Sequence, residues 1–272
     1  MRLPSTKFIL FNAAAIIVAV AAVMAAGRSM FTASITPLCT ERYLKMTAFG
    51  LERGGVLLTA AELQGMSGGR DAGVIDNVSI IRKEGAAPAA IEVRLPRSAP
   101  GREGGMGFPW EPRALAGKTA ACLTYQVYFP ADFDFRRGGR LPGFGSGLAD
   151  TAQPQAFAAV PVWGPAGRSG AVLNVRPGEA ALIQAQADLN FAKGRWVKVD
   201  QEIVLNTPKS TDGILRVWLD GELAIERKDM NYRATDKVAL SSVVADVHYT
   251  GLPAAADKAA KIWLSPFEVR WQ

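Results

Sequence analysis

From about Thr47 to the C-terminus, apolar residues fall in short runs, many alternating with polar residues at period two. Gly, Pro or Asp-Gly separates one run from the next. The pattern predicts strands at residues 56–63, 74–82, 91–95, 120–129, 157–163, 171–176, 180–187, 195–205, 214–219, 222–227, 238–250 and 261–271. No helical period lasts in this stretch. Strands of this length and spacing predict an all-β body, a two-sheet antiparallel sandwich or jelly roll. Asp220-Gly221 is a two-residue hairpin signal. Pairing Leu219 with Glu222 across it puts Trp218 beside Leu223 and Arg216 beside Ile225, so Trp218 reads as core. Trp196, Trp263 and Trp271 also fall in strand patterns and read as core. Residues 96–113 are rich in Pro and Gly, yet too apolar around Trp110 for a plain linker, and are expected to cover a sheet edge.

The N-terminus has a different pattern. Arg2 and Lys7 precede an uncharged apolar run over residues 8–26, broken only by Asn12. A run of this length rises roughly 28 Å as a helix, close to the bilayer core. Residues 1–26 are therefore expected to be a signal peptide or membrane anchor, with Val23-Met24-Ala25 offering small residues for cleavage. Residues 27–46 then form a connecting segment, and residues 47–272 the folded domain. Positive charge ahead of the run predicts an exported body, periplasmic or extracellular, touching a membrane only through its N-terminal segment.

Composition narrows the chemistry. Two cysteines and one histidine are too few for most metal frameworks. No C-x-x-C, P-loop or G-x-G-x-x-G occurs, so neither metal nor cofactor is expected. Asp132 and Asp134 share a face if extended, but the paired-carboxylate strand of a jelly-roll hydrolase is absent. The formal net charge is +6, and +4 once Arg2 and Lys7 are removed. This mild excess suits an anionic partner, and no basic stripe interleaved with aromatics argues for nucleic acid. In an oxidising compartment Cys39 and Cys122 would close a long loop; the sequence leaves open whether they pair.

The centre of the chain carries a resemblance. Tyr125-Gln126-Val127-Tyr128-Phe129-Pro130 leads into Arg137-Gly138-Gly139-Arg140-Leu141-Pro142-Gly143-Phe144-Gly145. Gly194-Arg195-Trp196, the run 212–221 and Tyr232-Arg233 follow in order. The stretch from about residue 75 to 272 resembles polysaccharide lyase family 14 and related alginate and glucuronan lyases. The resemblance implies a concanavalin A-like jelly roll with an acidic polysaccharide lying in a cleft on one sheet face. It also implies β-elimination, using the lysine of a G-G-K-L-P-G stretch, an R-x-M-W arginine and two tyrosines two residues apart.

This sequence departs from that set. Arg140 replaces the lysine; an arginine clamps a carboxylate but does not act as a base. Val160 stands near the arginine position, and Val172 and Asn174 where the tyrosines are sought. Candidate replacements come from strand alternation. Period two over residues 240–250 puts Ser242, Asp246, His248 and Thr250 on one face, with Asp246 beside the chain's single imidazole. Period two over residues 120–129 puts Cys122, Thr124, Gln126 and Tyr128 together. The expected site has His248 and Tyr128 as acid–base groups, with Arg140, Gln126, Asp246 and Asn174 binding substrate. Two functions follow: an exported lyase acting by β-elimination on a uronic-acid polysaccharide, or an inactive glycan-binding or structural envelope protein of the same fold, with weak or absent turnover expected.

Overall fold

The period-two runs pair as their alternation requires. The computed structural model describes residues 36–83, 89–96, 101–146, 157–176, 179–185, 188–250 and 259–272. The leader at residues 1–26 lies outside the described residues. Among these, no helix is long and apolar enough to cross a membrane.

Leu38–Gln272 form a compact jelly roll of two large antiparallel sheets, with a small two-stranded pair, Glu52–Arg53 and Val56–Leu57, beside them. The larger has nine strands among the described residues. Its spatial order is Glu222–Met230, Gly213–Leu219, Trp196–Val204, Ala120–Tyr128, Ala260–Leu264, Ala90–Leu95 and Val78–Ile81. Glu268–Trp271 also pairs with Ala120–Tyr128 and carries Lys45–Ala48 on its other side. The smaller sheet runs Glu179–Gln184, Ser169–Arg176, Ala158–Trp163, Gly143–Gly145, Ser242–Val244 and Pro109–Trp110. Gly139–Arg140 lies between Ala158–Trp163 and His248–Tyr249. Leu123, Tyr125, Val127 and Phe129 of the larger sheet meet Phe144, Ala159, Trp163 and Leu173 of the smaller in one core.

Several expected strands are shorter or different. In residues 56–63, only Val56–Leu57 is strand. Thr59 then starts the helix Ala60–Met66 through a reciprocal capping box with Glu62. The T-x-x-E signal outweighed the β-rich composition. In residues 74–82, Gly73 at φ 66° starts the four-residue helix Val74–Asn77 before the strand Val78–Ile81. The run 238–250 is broken between Ser242–Val244 and His248–Tyr249, and the run 261–271 at Ser265-Pro266, where proline lacks a ladder donor.

The Asp220-Gly221 turn forms as expected, with both residues at positive φ and Leu219 opposite Glu222. A register shift between Val217 and Trp218 puts Arg216 opposite Glu226 instead of Ile225. Cys39 and Cys122 are bonded. Their bond pins the short helix Cys39–Arg42 onto the outer face of the larger sheet, burying Trp218 beneath Tyr43 and the disulfide. Trp218 is thus buried in a satellite cluster outside the main core.

Candidate active site on the outer face of the smaller sheet

The glycine-rich segment after Phe135 is fixed from below. Trp163 lies under it, its indole Nε1 donating to the Arg137 carbonyl at 3.0 Å. A Cβ on Gly139 would sit 1.9 Å from the Trp163 ring, so only glycine lets the strand come this close. Gly143 crosses the next strand as tightly, with a Cβ falling 2.3 Å from the Ala159 carbonyl. Two buried side chains of the larger sheet reach across the core to hold the same segment. Tyr125 donates its hydroxyl to the Pro142 carbonyl at 3.0 Å. Gln201 accepts from the Phe144 N–H at 3.1 Å and donates to the Ala159 carbonyl at 2.8 Å. Burial pushes the Tyr125 hydroxyl well above its usual range, so it remains a donor.

Arg140 is thereby held on a rigid strand end in the middle of the sheet. Its register partners are His248 on one side and Val162 on the other, and Gly170 and Gln184 continue the row. Directly paired side chains have Cβ atoms about 4.5–5.5 Å apart. The Arg140 Nε is buried without a hydrogen-bond partner. Such an unmatched buried guanidinium nitrogen is uncommon, and the Arg42 Nε on the other face is a second case.

His248 is 7% exposed. Its Nδ1 is 2.9 Å from the Tyr249 carbonyl, which can only accept, so Nδ1 carries the hydrogen. Burial holds the ring's proton affinity below the ordinary histidine range. The Tyr249 carbonyl and Asp246 act in the other direction; Arg140 and Arg102 reinforce the lowering. A neutral ring with hydrogen on Nδ1 leaves Nε2 with a bare lone pair, the state a general base needs. Asp246 is buried and pairs with Arg102, Nε to Oδ1 2.9 Å. Arg102, not singled out by sequence pattern, thus joins the site from the Gly-rich loop; its only sequence signal is a cation among glycines. Arg137 also lies close, its guanidinium 4.2 Å above the Tyr249 ring.

The middle of this face is mostly small or apolar. Val160 is opposite Val172, and Asn174 faces Ala158 across the sheet. Ala158, Val160 and Val244 are buried together with Val172 against them. A groove of about 360 Å³ continues the Arg140 row past Val162 and Gly170.

Of the expected site residues, the structure brings Arg140, His248, Asp246 and Asn174 to this face. It does not bring Tyr128 and Gln126. Alternation did place those two together, but on the outer face of the other sheet. There Tyr128 contacts Trp196 and Trp263, with the Lys83 ammonium over Tyr128 and Trp263. Trp196 and Trp263, expected in the core, are half-buried in that outward row.

The sequence model of the Polysaccharide lyase 14 family matches residues 86–156 and 180–260, and the chain belongs to that family. A comparison with curated protein sequences finds no match. Among solved structures, the fold is similar to the marine PL-14 alginate lyase from Aplysia kurodai. That match has 17% identity and TM-score 0.67, covering 85% of this chain and 99% of the other. It is also similar to the alginate lyase vAL-1 from Chlorella virus, at 18% identity and TM-score 0.63 over 78% and 97% of the two chains. The endo-β-1,4-glucuronan lyase from the fungus Trichoderma reesei matches at 12% identity and TM-score 0.52 over 72% and 87%.

Proposed function

We propose that the chain binds a uronic-acid polysaccharide along the outer face of the smaller sheet and cleaves it slowly by β-elimination. One observation carries this reading: His248, with hydrogen on Nδ1 and Nε2 bare, is the register partner of Arg140. A carboxylate clamp and a neutral base therefore stand side by side. Supporting it are the family membership and relatives whose substrates, alginate and glucuronan, are both uronate polymers.

In the proposed step Arg140 pairs with the uronate carboxylate and offsets the charge that develops there as the C5–H bond breaks. His248 Nε2 takes the C5 proton. The electron pair forms the C4–C5 double bond, and the C4–O bond breaks. The imidazolium so formed returns its proton to the leaving oxygen. None of the five tyrosines stands on this face to do so: Tyr43 and Tyr128 lie on the outer side of the larger sheet, and Tyr125, Tyr232 and Tyr249 are buried.

The test is ultraviolet absorbance of the unsaturated uronate product on alginate and glucuronan. Wild type should form product, Arg140→Ala should bind more weakly, and His248→Gln should lower kcat by about a hundredfold. Absence of product from a wild type that still binds would favour a second reading, a non-catalytic glycan binder. That reading has its own observation: Val160 and Val172 pack against each other where the family resemblance implies charged and hydroxylated groups.

Export belongs to the same proposal. The basic-then-apolar leader supports it, as does the Cys39–Cys122 bond, which persists in oxidising compartments. A reporter active only outside the cytoplasm should give signal when fused to residues 1–46; silence at good expression would refute export.

A further inference from the structure

The groove of about 360 Å³ beyond Val162 has the composition of a sugar site, and its size falls within the range of ligand pockets. Leu182, 62% exposed, and Pro165 give it an apolar wall. Arg168, Gln184, Asp188 and Asn190 give it an exposed polar rim of both donors and acceptors. The rim is built on fixed backbone. Arg168 bridges to Asn190, its carbonyl accepts from the Gly164 N–H at 2.7 Å, and Ser169 Oγ donates to the Leu189 carbonyl at 2.6 Å.

Two guanidinium groups mark the two ends of one strip. Arg140 pairs with Val162, and Val162 with Gly170, two residues after Arg168. Strand spacings of about 4.8 Å across and about 3.3 Å per residue along place their Cα atoms about 12 Å apart. Arg168 is exposed and makes no ion pair with a described residue. Elsewhere, exposed arginines such as Arg70, Arg195 and Arg227 are paired with carboxylates. A polymer with one carboxylate per sugar would meet both unpaired cations at once.

We propose that this groove is a second uronate subsite, in which Arg168 takes the carboxylate of a sugar unit further along the chain held by Arg140. Asp188, Asn190 and Gln184 face its hydroxyls. The inference rests on the uronate reading of the Arg140 strip and adds to it a preference for longer oligomers.

Titration calorimetry with alginate oligomers from disaccharide to hexasaccharide tests it, on the full-length protein and on Arg140→Ala and Arg168→Ala. Wild-type affinity should rise with length. Arg168→Ala should keep the disaccharide affinity and lose about tenfold to a hundredfold on the hexasaccharide, with a shallower salt dependence. Arg140→Ala should weaken every length. Arg168 is exposed and unpaired, so its removal should leave the thermal midpoint unchanged. Hexasaccharide binding by Arg168→Ala equal to wild type, or the same loss at every length, would overturn the subsite alone. Failure of wild type to bind any oligomer would overturn the uronate reading as well.

Discussion

The two outer faces of the sandwich have opposite electrostatic habits. On the larger sheet most charges are drawn into pairs, although the Arg42 Nε is itself buried without a hydrogen-bond partner. Glu202, with no exposed surface, accepts from Arg42 at 2.6 Å, Arg216 at 2.7 Å and the Tyr43 hydroxyl at 2.8 Å. Arg216 also pairs with Glu226, and Glu226 with Lys228. Lys261 and Trp263 share Glu92. On the smaller sheet Arg140 has an orphaned guanidinium nitrogen, its register partner is a neutral histidine, and Arg168, two residues before Gly170, makes no ion pair with a described residue. Dense ion pairing holds a segment in place; a cation without a carboxylate on a stiff floor holds a place for something else. The same sheet architecture thus serves as a clamp on one side and a receptor on the other.

Breaking the clamp should be the larger perturbation. The Cys39–Cys122 bond spans 83 residues of sequence. Replacing both cysteines with serine should cost about 4 kcal/mol of unfolding free energy, measured by urea denaturation. Glu202→Ala should cost about 3 kcal/mol, because Arg42 and Arg216 lose their shared carboxylate. Neither variant should alter affinity for uronate oligomers where the protein remains folded. If either weakens binding as much as Arg140→Ala does, the two faces are energetically coupled and the division between them is wrong.

His248→Gln is the complementary cut. It should lower turnover by about a hundredfold while leaving oligomer affinity within a small factor. A loss confined to KM would make His248 a binding group only.

Much of this was legible from alternation alone. Ala120–Tyr128, Trp196–Val204 and Gly213–Leu219 formed where period two placed them, and Asp220-Gly221 turned as its φ preferences demand. The pairing of His248 with Arg140 was not legible. Period two assigns a residue to a face but not to a sheet, and the partner of a two-residue strand is set by tertiary contacts. Tyr128 and Gln126 were misplaced for this reason. Trp218 shows a related limit: its burial comes from Tyr43 and a disulfide far off in sequence. Tyr125 and Gln201 reach the glycine turn from the opposite sheet, and no local motif records such a span.

The smallest expected effect tests the state of His248 directly. Its proton affinity is lowered in the folded chain, chiefly by burial, with Arg140 and Arg102 adding to this against Asp246 and the Tyr249 carbonyl. In the unfolded chain it titrates near about 6.5. The neutral ring therefore contributes its full stability above that value. As pH falls below it, the unfolded state takes up a proton first and stability declines, until the folded ring is protonated as well. The slope cannot exceed about 1.4 kcal/mol per pH unit for one group. This is the chain's single histidine, and the carboxylates of Asp134, Asp212 and Glu226 are shifted down, away from this window. Urea midpoints taken between about pH 7.5 and about pH 5.5 should therefore fall for wild type and stay level for His248→Gln. A level wild-type profile would mean that the ring keeps its ordinary proton affinity, and the proposed base would then be half-protonated at about pH 6.5.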